Sequence, residues 1–389
     1  MTSTEPPPRR RRFPRTLLVV VGALIAAALI ILRFHVLPRV DRSSNRVLDR
    51  GPHTVSDAAR KVHDGAFVVD LHADPLLWKR DLRRRHDRGQ VDLPRLRQGG
   101  VDLQVFGVVT RVPKSTNYRA NADTDRLPLL FLGSWRPPWT WWSAHARATA
   151  QARELRRLAR RSDLSLVLTA ADLDGDGLKG LLALEGMHAL EGREEALESL
   201  FKAGFRMMGL AHFADNEVAG SAHGLEKHGL TELGKKLLPR MEELGITVDL
   251  AHASPKTVDD VLRAATRPVV FSHAGVQGTC AGPRNLSDRQ LRRLARNGGV
   301  VGIGFWKGAV CEPSLAAVVR AVRYATRVAG IDHVAVGTDF DGNITAPVDA
   351  SGLPRLTEAL LASGMGRRDV EKVMGGNARR VLKGNLPKS

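Results

Sequence analysis

Cysteine is nearly absent from this chain. Two in 389 residues cannot form a disulfide scaffold or a cysteine-only zinc site. Aromatic residues make up only 5%, no G-x-S-x-G turn is present, and no glycine-rich phosphate loop follows the first apolar run. Low-complexity tracts are also missing, and with 43% hydrophobic residues the chain can bury a large core, so disorder and fibrous structure are excluded as the main state. Acidic residues are in the minority, 41 against 59 Lys and Arg, a net charge of +18. Residues 1–50 hold ten Arg and three acids, and the remaining excess is spread thinly. Spread charge tunes solubility and surface potential and does not make a phosphate-tracking groove, so no nucleic-acid partner is expected.

The long hydrophobic run is at the start. Arg9–Arg12 lead into Thr16–Leu32 (TLLVVVGALIAAALIIL), seventeen residues without a charge. At about 1.5 Å per residue they span roughly 25 Å, enough to cross a bilayer. A cleaved signal peptide is the rival reading. Its small-residue cleavage site should follow the apolar region, whereas Ala26–Ala28 lie inside it and Arg33, Phe34 and His35 follow. An uncleaved membrane anchor is therefore favoured, with the bulk of the chain outside the cytoplasm, exported or periplasmic if the segment is cleaved. Arginines on both sides leave the orientation open. Arg10-Arg11-Arg12-Phe13 loosely resembles a twin-arginine export signal. The division that follows is a basic segment 1–15, an anchor or signal 16–32, a linker 33–56 and a catalytic domain 57–389.

Eight β-branched apolar runs bounded by turns predict strands at 66–72, 101–109, 181–185, 205–212, 246–252, 268–273, 299–305 and 333–339, with helical periodicity between most of them. Such alternation predicts a parallel sheet buried on both faces, an α/β (β/α)8 TIM barrel with an insertion after strand 2. The rival, an open doubly wound sheet, lacks its phosphate loop.

Six of the eight strands end in a residue able to bind metal or move a proton: His72 with Asp74 two residues on, Glu185, His212, His252, His273 and Asp339. A barrel gathers its strand C-termini on one face. Imidazole with carboxylate and no nearby Cys suits a catalytic zinc site. Seven such groups exceed the three that one zinc needs, so a bridging carboxylate and two metals are expected, holding a hydroxide for hydrolysis of an amide or ester.

These residues lie in blocks, among them VVDLHADPL (68–76), ALEGMHAL (183–190), GLAHFADNEVAGSAHG (209–224), PVVFSHAG (268–275), AGPRNLSD (281–288), HVAVGTDFDG (333–342) and GGNARRVL (375–382). From about residue 60 to 383 the sequence resembles the membrane dipeptidase (renal dipeptidase) family of zinc peptidases. The resemblance implies two zinc ions per chain: His72 and Asp74 on one, His252 and His273 on the other, and Glu185 bridging both. It makes His212 the contact to substrate and the developing oxyanion, Arg284 the partner of the dipeptide's C-terminal carboxylate, and Asp339 the acid that activates water and passes its proton to the leaving amine. It implies hydrolysis of dipeptides by a metal-bridged hydroxide. Another small amide, lactam or ester is the alternative substrate, and a binding protein that has lost turnover is a third reading.

Cys280 and Cys311 fall near positions bridged in some relatives, and reduced buried thiols are the alternative. Asp172-x-Asp174-x-Asp176-Gly177 copies half a calcium loop but has Ala183 at the twelfth position, so a simple turn is expected. Trp135, Trp139, Trp141 and Trp142 crowd the insertion 110–180. They would pack on the barrel, cover the substrate, or meet the membrane or a second copy in a homodimer. His188, His223 and His228 read as supporting residues.

Overall fold

Eight short parallel strands appear in chain order: β1 Val69–Ala73, β2 Leu103–Val109, β3 Lys179–Glu185, β4 Phe205–Gly209, β5 Thr247–Asp249, β6 Val270–Ala274, β7 Val300–Ile303 and β8 Val334–Val336. The computed structural model describes residues 15–388. Each strand pairs with its sequence neighbour, all in parallel. All eight coincide with an apolar run in the sequence, because strands buried on both faces read as near-continuous hydrophobic stretches.

The ring closes between β1 and the residues following β8. Ala73 bridges to Phe340, and the Asp339 amide donates to the His72 carbonyl at 3.1 Å. Below that, the buried Asp70 carboxylate accepts from the Thr338 amide at 2.8 Å and the Thr338 hydroxyl at 2.7 Å. An eight-stranded barrel of this diameter is filled by its own side chains. Leu71, Val105, Leu181, Met207, Val270 and Ala335 form that filling, and Val381 and Leu382 of the C-terminal helix Asn377–Asn385 pack against it. The Asn385 side chain also bonds the Pro268 carbonyl and Thr247, which places this helix across the end of the barrel where the strands begin.

Outside the strands a second layer of apolar side chains, including Phe106, Leu184, Met208, Phe271 and Ile303, meets the surrounding helices. Most of those helices start at a side-chain cap: Asp92, Ser143, Thr231, Ser254, Ser287 and Ser314 each accept from a backbone amide three residues on. Each cap contributes about 1 kcal/mol. The insertion after β2 contains helices Leu127–Gly133 and Ala144–Ala159. Asp174 in the calcium-like stretch accepts from Arg379 and Lys383, consistent with a turn pinned to the C-terminal helix.

Cys280 and Cys311 form a disulfide with a Cα–Cα distance of 5.4 Å. It ties the loop after β6 to the loop after β7 and closes about thirty residues, worth roughly 3–4 kcal/mol in the chain-entropy model.

The N-terminal region departs from the expected linker. The basic segment lies outside the described residues except for Arg15. Helix runs from Arg15 to Ile31, continues through one π-helical turn at Leu32–Val36, and ends at Ser44. The span Thr16–Ser44 is long and apolar enough to cross a membrane. Side chains of its apolar part face outward, with Leu18, Val19 and Leu24 exposed. Beyond it, Arg46–Val47 pairs in parallel with Thr345–Ala346. Much of the 33–56 stretch is thus built onto the barrel. Asp41 explains the attachment: its buried carboxylate accepts from Asn45 at 2.9 Å and from Arg88 at 3.1 Å.

Candidate metal centre

Glu185, the last residue of β3, is the hub. Its Oε1 lies 3.0 Å from His252 Nε2, 3.4 Å from His273 Nε2 and 3.6 Å from His72 Nε2, while Oε2 lies 3.3 Å from His212 Nε2. Asp74 Oδ1 is 3.4 Å from His72 Nε2, and Asp339 joins those two in a third cluster. Arg284 reaches the same ring, with Nε 3.2 Å from His252 Nδ1 and one terminal nitrogen donating to the His273 carbonyl at 2.9 Å. All eight residues singled out in the sequence therefore meet at one barrel mouth, and all are buried.

Strand alternation alone does not aim them there. Leu71 fills the barrel, so regular alternation would turn His72 outward. The β1–β2 pairing slips register between Asp70 and Ala73, and the β6–β7 pairing slips between Phe271 and Ala274. Register irregularities of this kind re-aim side chains, and here they lie on the two strands that carry His72 and His273. His252 and Asp339 have φ of 63° and 64°, a left-handed backbone that costs non-glycine residues roughly 1–3 kcal/mol and clusters at functional sites. Gly186 (φ 86°) leaves room beside Glu185: a Cβ there would stand 2.9 Å from His212 Cβ.

The donor set fits a cation. Two nitrogen or oxygen ligands on a tetrahedral zinc, each about 2.0–2.1 Å away, stand roughly 3.3 Å apart, which is the spacing of the Glu185, His252 and His273 atoms. His72 Nε2, Asp74 Oδ1 and Glu185 Oε2 are buried without a hydrogen-bond partner, a costly arrangement unless a positive charge satisfies them. Burial, reinforced by the charge of Asp74, pushes the Glu185 carboxyl well above its ordinary range. Burial pushes Asp339 up to about 8, with Asp74 adding to the rise against an opposing His72. Burial also drives His252 and His273 well below the usual imidazole value, and His212 down to about 4. Those three rings are held neutral, the form that binds metal. For His72, burial opposes protonation but is outweighed by Asp74 and Glu185, and its value rises to about 10.

Distance does not separate His212 from the other three histidines. Its Nδ1 donates to the Arg111 carbonyl at 2.9 Å, which turns a lone pair on Nε2 toward Glu185.

Several supporting residues were not singled out from the sequence. Asp249 accepts from the Ser272 hydroxyl at 2.5 Å and amide at 2.9 Å, and that hydroxyl lies 2.8 Å from His273 Nδ1. A carboxylate inside the otherwise apolar run ITVDLAH was the available signal. Tyr118, from the insertion, accepts from Trp306 Nε1 at 2.7 Å, and Trp306 stacks under Arg284 at 5.1 Å. His223 donates to the Tyr118 carbonyl at 3.0 Å and stacks on Phe213. His188 is buried beside Gly186, and His228 bonds the Gly229 carbonyl, outside the ring of ligand-type atoms.

Comparison with known proteins agrees with this architecture. The model of the membrane dipeptidases, peptidase family M19, matches residues 56–386. Dipeptidase 3 of Mus musculus is 31% identical over 340 residues, covering 81% of this chain and 64% of the mouse protein, just under two thirds of its length. Dipeptidase tcpJ of Claviceps purpurea is 30% identical over 305 residues, covering 76% of this chain and 69% of that one. Among solved structures, a metallo peptidase from Rhodobacter sphaeroides, liganded with a phosphinate mimic of the dipeptide L-Ala-D-Ala, aligns with a TM-score of 0.71 at 26% identity over 82% of this chain and 99% of its own. The chain belongs to the membrane dipeptidase family, peptidase family M19, and is a peptide-bond hydrolase.

Proposed function

We propose that this chain is a zinc-dependent dipeptidase, tethered by its N-terminal helix with the barrel outside the cytoplasm. Metal-dependent cleavage of dipeptides follows from the family. The observation that carries the finer reading is the group of buried, unpartnered ligand atoms around Glu185. His72, Asp74, Glu185, His252 and His273 would hold two zinc ions, with Glu185 shared. Zinc supplies two things when bound: Lewis acidity towards the scissile carbonyl, and a hydroxide nucleophile available near neutral pH.

The chain's own residues do the rest. One terminal nitrogen of Arg284 is buried without a partner, and a planar guanidinium matches a carboxylate. It fixes the substrate's C-terminal carboxylate, so the scissile bond must lie one residue from that end. His212 faces the carbonyl. To stabilise charge developing on its oxygen the ring must take up a proton at Nε2 while Nδ1–H stays on the Arg111 carbonyl, and the contact is then worth about 2.7–4 kcal/mol when well aimed. Asp339, whose ionised form bound cations beside it would favour, takes the proton released by the attacking water and delivers it to the leaving amine. The bonds broken are one C–N and one O–H; those formed are one C–O and one N–H.

The test is a substrate panel on the zinc-loaded protein, comprising dipeptides, their amides, N-acyl amino acids, lactams and esters. Dipeptides should be cleaved with the highest kcat/KM, and chelation should abolish the activity until zinc is restored. Preference for a lactam or ester would reassign the substrate, and activity surviving complete chelation would refute the metal chemistry. Retention in membranes after an alkaline wash tests the tether.

A further inference from the structure

A cavity of about 370 Å³ opens beside the N-terminal helix where it meets the barrel, lined by six basic and two acidic side chains. From that arrangement we infer a binding site for the headgroup of an anionic phospholipid. The inference rests on the reading that Thr16–Ile31 is embedded in a bilayer.

The depth of the cavity follows from the sequence. Arg33 lines it and is the first charged residue after the apolar run, so a spanning helix puts its guanidinium at the level of the lipid phosphates. Its neighbour Phe34 packs edge-on against Trp135 at 5.4 Å. In the same insertion Trp139 and Trp142 are 59% and 78% exposed and Leu129 is 72% exposed. Exposed indoles next to the end of an apolar helix are what an interfacial belt requires.

The charges that face the cavity are not all neutralised. Lys79 is tied to Glu154 at 2.5 Å, Arg83 to Asp81 at 2.8 Å, and Arg80 to Asp341. Arg33, Arg157 and Arg161 have no carboxylate partner among the described residues. Three guanidinium groups that line one cavity without a carboxylate partner suit a phosphate. The other wall is apolar, with Leu76, Leu82 and Leu158, and would meet the glycerol and the first methylenes of a lipid. Inorganic phosphate would leave that wall without a partner. The volume falls in the usual range of about 300–1,000 Å³ for small-molecule sites, and the cavity shares none of its lining with the metal centre.

The experiment uses the full chain purified in detergent and offered equal amounts of phosphatidylglycerol and phosphatidylcholine, with retained lipid quantified by native mass spectrometry. Phosphatidylglycerol should be preferred roughly tenfold or more. An excess of inorganic phosphate should not displace it. The double variant Arg157→Ala/Arg161→Ala should lose the preference while keeping its dipeptidase activity, which reports an intact fold, and Arg157→Lys/Arg161→Lys should retain most of it. Equal retention of the two lipids, an unchanged preference in the alanine variant, or displacement by phosphate would each overturn the proposal. An alkaline wash of reconstituted vesicles separates the two readings. Release there refutes the anchor and this inference with it, whereas retention without lipid preference refutes the headgroup site alone.

Discussion

Gly107 on β2 stands where any side chain would strike His72 on β1 and Asp74 just after it, two of the proposed metal ligands. A Cβ at this position would lie 2.8 Å from His72 Cε1 and closer still to Asp74 Oδ1. The constraint is space, since Gly107 sits within regular strand pairing opposite Ala183. Gly107→Ala should therefore leave the barrel folded but push His72 and Asp74 off their positions. Metal affinity is expected to fall by about 10–100-fold, the usual cost of disturbing ligand support, with kcat/KM falling at least as far. Metal content by elemental analysis and the circular dichroism spectrum would check this. Unchanged affinity would mean that the two ligands have room the structure does not show.

A similar test applies to the chain Asp249–Ser272–His273. The Ser272 hydroxyl donates to Asp249, which leaves its oxygen to accept from His273 Nδ1–H. That fixes the tautomer with a lone pair on Nε2, the nitrogen that faces Glu185. Ser272→Ala removes the relay without adding bulk, and metal affinity should fall by about 10–100-fold with little change in KM for the fully loaded enzyme. Equal affinity in variant and parent would show that the tautomer is fixed by something else.

Much of this centre was legible because the barrel does the assembly. Once eight apolar runs are recognised as parallel strands, the residues at their ends must converge, however far apart they lie in sequence. What stayed hidden depends on local departures from regularity. The register slips that turn His72 and His273 inward leave no mark on the hydrophobic pattern. Leu37–Ser44 (LPRVDRSS) reads as a polar turn because it contains Pro38 and two serines. It is helical because the π-helical turn Leu32–Val36 just before Pro38 accommodates the proline within one continuous helix, and because Asp41 meets Arg88, a partner nearly fifty residues away. Pairing at that separation cannot be read from composition.

Asp339 and His212 can be separated from the ligands by what each loses on substitution. Asp339→Asn keeps the shape and removes the proton carrier, so kcat should drop by about 10²–10⁴-fold while both metals stay bound. His212→Ala should likewise keep its metals and lose kcat by about 10²–10³-fold. Because His212 Nε2 is as close to Glu185 as the other imidazoles, its metal content is the sharper measurement. Loss of one ion on His212→Ala would make it a ligand and overturn its substrate role.

Arg284 makes its contribution through charge at a fixed place. Its Nε and one terminal nitrogen are anchored on His252 and His273, which leaves the other for the substrate. Arg284→Ala should raise KM for dipeptides by roughly 10–100-fold, the equivalent of about 1.5–3 kcal/mol for a charged hydrogen bond. The KM of the corresponding dipeptide amides should barely move. Equal losses on both substrates would mean that the carboxylate contact is misassigned.

His63 offers a pH dependence outside the clusters of ligand-type groups. It is buried on the helix Asp57–Asp64, with Nδ1 2.8 Å from the Thr357 hydroxyl and Nε2 2.8 Å from the Gly99 carbonyl. Burial lowers its pKa below 6.5, against a smaller opposing effect of the Gly99 carbonyl. In the unfolded chain the ring titrates near 6.5, so below that pH the unfolded state takes up a proton that the folded state refuses. The stabilisation is complete above about pH 6.5 and is lost as pH falls towards the folded value, at no more than about 1.4 kcal/mol per pH unit for one proton. His63→Gln cannot titrate. It should be less stable than the parent at pH 7, because two buried hydrogen bonds are disturbed, yet lose less between pH 7 and 5. Thermal midpoints of detergent-solubilised, chelated protein at several pH values would measure both. Parallel curves for parent and variant would show that His63 takes up its proton in the folded state as readily as in the unfolded one.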